Sequence, residues 1–559
     1  MRFQLDHDWQ GNMSTPRARV GDGVKTQLLL VLCAIWIILG LVGHAPWKPL
    51  ESTSISIVKN IIDGGSLIAP NVIGTSSIET PPLYYLTAAA SAKLLSPNLA
   101  MHDGARLFNA IWLSILLLMV GMSGRELWSR GIGRHATFIM IGTIGLVFSA
   151  HSLSAEIANL ACLAMGFYAL ALSKRRPWRA SGLLGIAFGI GFLSYGILPV
   201  LILLSVALSL PVLFKVWRTT SFAKFLLSAF LIASPIIGAW LLLLHQYYPT
   251  VFLSWWQYNL SIFNELNHLY FLRILAWYAW PALPFALLGL WRFRLQLLNK
   301  PKFQLIIVFF VCSLIILGFT ETTKDINALP LLLPLVALGA GSVDHLKRGS
   351  AAALNWFGIT LFGLIGALIW LGWLAMLTGY PVKIKQRMQF LSGSNDIHFS
   401  WITLAIALAI TVIWIIVCIR AKQTNKSTIT NWAVGMTFGW TLLMSLWLPL
   451  LDSAKSYQSV FTSLNNALPN EYNCVNSLGV GQQQQLLLHY YTDIKLQPFE
   501  STQKLDCNFY LLQDVRGVGK MQPGQEWSLI WSGKRTADRK ESFRLFKRIN
   551  ASMVFKNGD

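Results

Sequence analysis

Between Thr26 and Leu451 the chain returns repeatedly to apolar runs of about 20 residues, each long enough as a helix to cross a hydrocarbon core of about 30 Å. No other feature limits the fold as strongly. Inside a bilayer every backbone N–H and C=O must find a partner in the protein, so such runs fit helices and little else. Only 12% of the 559 residues are charged, roughly half the fraction of an average soluble domain. The sequence therefore predicts an all-α polytopic membrane domain. About thirteen spans are expected, over 27–43, 105–124, 136–150, 157–173, 181–195, 197–214, 225–244, 271–291, 304–320, 328–343, 355–378, 400–419 and 432–450. The stretch 191–199 leaves open two short spans or one long broken one.

The net charge of +21 would suit a nucleic-acid partner only if the cations shared one face. They do not. Lys174-Arg175-Arg176, Lys215, Arg218, Lys224, Arg292, Arg294, Lys347-Arg348, Arg420 and Lys422 fall in alternate short loops, which is the positive-inside pattern that orients membrane proteins. Residues 1–26 are polar and carry Asp6, Asp8 and Asp22, unlike a cleavable signal, and read as a cytoplasmic tail. An odd number of spans then leaves the C-terminus outside. The domain expected over 27–451 has a large first external loop, 44–104, in which Ile55, Val58, Ile61 and Ile62 recur at helical spacing opposite Ser52, Ser54, Ser56 and Lys59. That pattern predicts an amphipathic helix at the membrane surface. A second such segment, Leu83–Leu95, follows Pro81-Pro82. The loop His245–Tyr270 is rich in aromatics, as a headgroup belt or a sugar platform would be.

From Asp452 the pattern changes to that of a small extracytoplasmic α/β domain, 452–559. Helices are expected over 453–468 and 482–491, and strands over 474–479, 507–513, 527–531 and 543–548. The Gln482–Gln485 run is too short to interpret as low complexity. Cys33, Cys162, Cys312 and Cys418 lie in apolar spans, whereas Cys474 and Cys507 could pair if their domain faces an oxidising compartment. Spacing alone does not establish that bond.

Several segments, in order, carry a family signature: Pro49-Leu50-Glu51, Asn60-Ile61-Ile62-Asp63-Gly64-Gly65, Ala69-Pro70, Glu79-Thr80-Pro81-Pro82-Leu83-Tyr84-Tyr85 and Arg106-Leu107-Phe108-Asn109-Ala110. Gly185–Gly196, Lys324–Pro334, Asp452–Tyr457 and Trp531–Arg535 continue it. This series resembles the bacterial aminoarabinose transferases and, more widely, the protein O-mannosyltransferase superfamily of the GT-C class. The resemblance implies a GT-C-like membrane domain in the inner membrane, with the N-terminus cytoplasmic and the C-terminal domain periplasmic. It also implies inverting transfer of a sugar from a polyprenyl-phosphate donor to a lipid or surface-glycan acceptor, with lipid A modification as the nearest analogy. In that family an Asp of the first loop is the expected base, and cations meet the phosphate. Here Leu50 stands at the Asp position, Tyr195 at a usual Lys, and Thr80 at another usual Lys.

If the chain is an enzyme, the carboxylate that takes the acceptor proton must then come from elsewhere in the loop. Glu79, aimed by a rigid Pro-Pro pair, ranks ahead of Glu51, which can equally serve as a first-turn acid favoured by the helix dipole. Glu79 can likewise only shape a surface loop. Arg106, Arg273, Lys383 and Lys385 are the candidate phosphate contacts, with Tyr84 and Glu156 as further substrate contacts. Three of them have a plainer reading: Arg106 as an ion-pair partner of Asp103, Arg273 as a snorkelling cation, and Glu156 as an acid near the interface. Lys383 and Lys385, with Arg387, put positive charge on the side that should lack it, which favours anionic headgroups or phosphate. No cofactor is implied. A divalent metal is allowed but no His, Cys or carboxylate spacing indicates one. Membrane lipids are expected partners, and nucleic acid is not. The alternative function is that of a catalytically impaired relative, binding polyprenyl-phosphate lipids as a scaffold or transport partner.

Overall fold

The computed structural model describes residues 22–72, 80–129, 131–261, 268–320, 324–394, 399–420, 424–494, 496–498, 507–515, 524, 526–535, 537–538 and 541–549. Helices dominate up to Ala467. The first five are α1 (Asp22–Ile38), α2 (Leu50–Ile62), α3 (Leu83–Leu95), α4 (Met101–Leu107) and α5 (Asn109–Leu127). Every one of the thirteen expected stretches falls on a helix or on a bent pair of helices. By length and apolar composition, the described residues hold 7 helices able to cross a membrane, or up to 10 if each bent pair is one span. Shorter apolar helices run over Gly23–Ile38 and Ile197–Leu213. The bends explain why a simple tally misleads: Leu269–Tyr278 and Ala282–Phe293 meet at 106°, with Pro281 between them unable to continue the first helix.

The centre of the membrane domain is the pair Leu329–Ser342 and Ala155–Leu172, nearly all of whose residues are buried. Trp401–Arg420 and Thr220–Tyr247 are largely exposed along their apolar lengths, as outer helices facing lipid would be. At 191–199 the chain is broken. One helix ends at Tyr195, Gly196 takes φ +93° and ψ −144°, and the next helix starts at Ile197. That backbone region is open essentially to glycine alone, so the residue type itself fixes the break.

After the helix Gln458–Ala467 comes a five-stranded sheet: β1 (Val475–Leu478), β2 (Leu496–Pro498), β3 (Phe509–Val515), β4 (Trp527–Gly533) and β5 (Glu541–Arg548), in the order β2-β1-β3-β5-β4. β1 runs parallel to β2 and β3, while β5 is antiparallel to β3 and β4. The helix Gln482–Thr492 makes the β1-to-β2 crossover that a parallel pair requires. Cys474 and Cys507 form a disulfide just ahead of the paired strands β1 and β3. β2 is the one strand the sequence does not predict, because three residues carry too little alternation to register.

The helix α2 is present, but its polar face is not at a water surface. Ser52, Ser54, Ser56 and Lys59 are all buried, in a helix that packs against both α3 and the crossover helix Gln482–Thr492. A surface-lying helix was expected, and a buried one is found.

Candidate functional site

The segment between α1 and α2 is held by three carboxylates, two from distant parts of the chain and one from the start of α2. Asp103 accepts the Gly43 N–H at 3.1 Å. Asp452 accepts both the Ala45 N–H and the Trp47 indole N–H at 2.9 Å. Glu51, in the first turn of α2, accepts the Trp47 N–H at 2.8 Å through Oε2 and the Leu153 N–H at 2.8 Å through Oε1. Arg106 completes the frame. Its Nε lies 2.6 Å from Glu51 Oε1 and its Nη2 lies 3.0 Å from Glu51 Oε2. The remaining donors reach Asp103 Oδ1 at 3.0 Å, the His44 carbonyl at 2.7 Å and the Ala45 carbonyl at 2.9 Å. All five guanidinium donors are thus used, with Arg106 at 0% and Glu51 at 2% exposure. Burial opposes ionisation of Glu51, but the Arg106 charge and hydrogen bonds, with His44 and the Trp47 N–H, together outweigh it and hold the carboxyl below its ordinary pKa. Glu51 and Arg106, a candidate base and a candidate phosphate contact, are paired with each other. The expected Asp103–Arg106 ion pair is present as part of the same cluster.

Two chambers lie beside this frame. The first, of about 210 Å³, is lined by Leu50, Thr80, Tyr85, Glu156, Tyr195, Lys324 and Gln483, among others. The three positions at which the chain departs from the pattern it resembles, 50, 80 and 195, therefore line the same chamber. Thr80 donates its hydroxyl to Tyr85 Oη at 3.1 Å. Glu156 lines this chamber, at the start of the helix Ala155–Leu172. Tyr84 does not. It is buried and donates to Asn109 Oδ1 at 2.9 Å, and it is Tyr85, one residue further along α3, that lines the chamber. Glu79 lies outside the described residues.

The second chamber, of about 330 Å³, is lined by His44, Trp47, Lys48, Glu51, His151 and Lys455, and it shares Pro49 and Leu50 with the first. Lys48 reaches Glu541 at 2.6 Å. Lys455 lies over the Trp47 ring at 4.4 Å and has no ion-pair partner among the described residues. Phe148, Trp440 and Leu443 are common to this chamber and to an open apolar groove of about 600 Å³, whose walls include Trp277, Trp280, Phe357 and Trp432. Apolar groove, cationic chamber and polar chamber follow one another through shared walls. Arg273 and Lys383 are exposed and Lys385 half-buried, and none of them lines either chamber. Among the described residues no group of three or more His, Cys, Asp or Glu side chains is placed to hold a metal.

Lys48, Lys324, Lys455 and Gln483 were not singled out by sequence reasoning. For Lys324 and Lys455 a signal existed, since both sit inside segments that carry the resemblance noted in the sequence. For Gln483 there was only the glutamine run.

No protein-family profile matches the chain. It is 26% identical over 446 residues to the undecaprenyl phosphate-alpha-4-amino-4-deoxy-L-arabinose arabinosyl transferase of Pseudomonas savastanoi pv. phaseolicola, covering 77% of this chain and 78% of the relative. It is 24% identical over 469 residues to arabinosyl transferase 1 of Pseudomonas fluorescens strain Pf0-1, covering 79% and 75%. Among solved structures, ArnT from Cupriavidus metallidurans bound to undecaprenyl phosphate superposes with a TM-score of 0.64 at 13% identity, over 94% of this chain and 98% of that one. Its apo form gives 0.63 over the same shares.

Proposed function

We propose that this chain, a relative of the bacterial aminoarabinose transferases that shares their membrane fold, is a membrane glycosyltransferase drawing on a polyprenyl-phosphate sugar. The observation that carries the reading is the run of apolar groove, cationic chamber and polar chamber joined through shared residues. It suits a donor whose tail lies in the groove, whose phosphate rests between Lys48 and Lys455, and whose sugar reaches the partition at Pro49-Leu50. Lipid A or another envelope lipid or glycan is the acceptor class, by analogy with the relatives' names. Residues 452–559 form the periplasmic domain in this reading, with 1–26 cytoplasmic and 27–451 spanning the inner membrane.

The reaction is inverting. An acceptor hydroxyl oxygen attacks the anomeric carbon, the bond from that carbon to the phosphate oxygen breaks, and polyprenyl phosphate leaves with its electron pair. The hydroxyl proton passes to a carboxylate, a role worth about 10²–10⁴ in rate. We assign it to Glu79, whose neighbour Thr80 lines the polar chamber, and give Glu156 the orientation of the sugar. Lysine charge stabilises the departing phosphate. Glu51 and Arg106 act as the frame beneath the site. Arg273, Lys383 and Lys385 are assigned to lipid headgroups.

The departure at Leu50 favours one second reading, a non-catalytic binder of the same lipids, because leucine occupies the wall where a proton acceptor is expected. The test uses purified protein in nanodiscs with undecaprenyl-phosphate sugars and lipid A. Release of undecaprenyl phosphate with sugar appearing on the acceptor supports the enzyme. Saturable binding without release overturns the enzyme and supports the binder.

A further inference from the structure

We propose that Gln483, carried into the polar chamber by the C-terminal domain, hydrogen-bonds a ring hydroxyl of the donor sugar and so helps set which sugar the protein accepts. This rests on the reading of the chambers given above. Four consecutive glutamines open the crossover helix Gln482–Thr492, and successive residues of a helix point about 100° apart, so the four side chains meet different surroundings. Gln482 is exposed. Gln484 is buried and contacts Glu541 Oε1 at 3.4 Å. Gln485 donates to the Val480 carbonyl at 2.8 Å. Gln483 alone lines the chamber that holds Leu50, Thr80 and Glu156, and among the described residues its amide makes no hydrogen bond.

The helix that presents it is fixed to the membrane domain. Asp493, just past the helix end, is paired with Lys59 of α2, and Tyr490 Oη lies 2.9 Å from His102 Nδ1 of α4. Glu541, which Gln484 contacts, is itself bound by Lys48 at 2.6 Å and by the Tyr457 hydroxyl at 2.6 Å. A side chain held this way is pre-positioned at both ends of its helix. The chemistry of an amide narrows the ligand. It offers a donor and an acceptor side by side and carries no charge, which complements a neutral hydroxyl rather than a phosphate. Lys48 and Lys455 of the second chamber carry the phosphate in that reading, and Lys324 is the one lysine beside Gln483 in the first.

The test is a binding comparison in nanodiscs, with turnover measured alongside. The probes are bare undecaprenyl phosphate and undecaprenyl phosphates carrying glucose, mannose, galactose or a 4-amino-pentose. Gln483→Ala is expected to weaken the best-bound sugar lipid by about 2- to 10-fold, the size of one neutral hydrogen bond, to raise KM more than it lowers kcat, and to leave bare undecaprenyl phosphate unchanged. Gln482→Ala should alter neither. Equal weakening of both lipids, or no weakening of either, overturns the inference. Sugar-dependent binding lost in Gln483→Ala without any turnover in wild type overturns the enzyme and keeps the inference. Turnover with sugar preference untouched by Gln483→Ala does the reverse.

Discussion

Burying the Glu51–Arg106 pair takes two charges out of bulk water, and such a pair is strongly destabilising to break because one ion is left unpaired. Glu51→Ala is expected to cost about 3–5 kcal/mol, read as a drop in thermal unfolding temperature in detergent. Glu51→Gln should cost less, since its amide oxygen still accepts from Arg106 and Asp103 still neutralises the guanidinium. A Glu51→Gln protein with wild-type stability and turnover lowered by 10² or more would move Glu51 back to the role of base. Leu50 gives the complementary experiment. It lines both chambers, so Leu50→Asp places a carboxylate at their partition and is expected to raise transfer in the nanodisc assay. Unchanged or lower transfer in a stably folded Leu50→Asp protein would show that the missing acid does not limit this chain. Of these residues the sequence discloses Leu50 by its departure from pattern. It cannot disclose that Glu51 is saturated, because two of its partners are backbone N–H groups at Trp47 and Leu153, which have no residue signature.

At the level of elements, apolar length and turn chemistry foretold the helices well, and Gly196 explains why one boundary was ambiguous. The faces were harder to read. The serines of α2 look like a water-facing side in sequence, yet they are buried in a helix that packs against both α3 and the crossover helix Gln482–Thr492, and no local pattern reveals that burial. The shift from Tyr84 to Tyr85 has the same origin, since helical phase is fixed by tertiary packing. The disulfide was foreseen as a conditional bond, and its position now gives it a purpose. β1 and β3 are parallel, with Val475 paired to Phe509, so no hairpin can tie them directly, and Cys474–Cys507 bolts their leading ends. Replacing both cysteines by serine is expected to destabilise the sheet by about 2–5 kcal/mol, measured as increased amide exchange across β1 and β3. Protection unchanged from wild type would assign the sheet's stability to its core alone.

The molecule as a whole depends on contacts between its first loop and its last domain. Glu541 of β5 receives Lys48 and Tyr457 from opposite sides of that interface. Burial pushes its pKa up, but those two hydrogen bonds and the nearby charges outweigh it and keep the carboxyl below its ordinary value. A depressed folded pKa contributes stability that is complete above the ordinary glutamate value of about 4.3 and is lost as pH falls below it. Proteolysis of the 452–559 region should therefore accelerate only at acidic pH, and Glu541→Gln should flatten that dependence. A Glu541→Gln protein that follows the wild-type pH curve would remove Glu541 from the cause. The pairing of Lys59 with Asp493 spans 434 residues. At a synthesis rate of about 5–20 residues per second, α2 waits roughly 20–90 s after emerging from the ribosome before its covering helix exists. During that interval its serine face and Lys59 have no protein partner from the C-terminal side. A cell making this protein must shelter a half-built opening loop for longer than most small domains take to fold, and the part translated among the earliest is the part completed last.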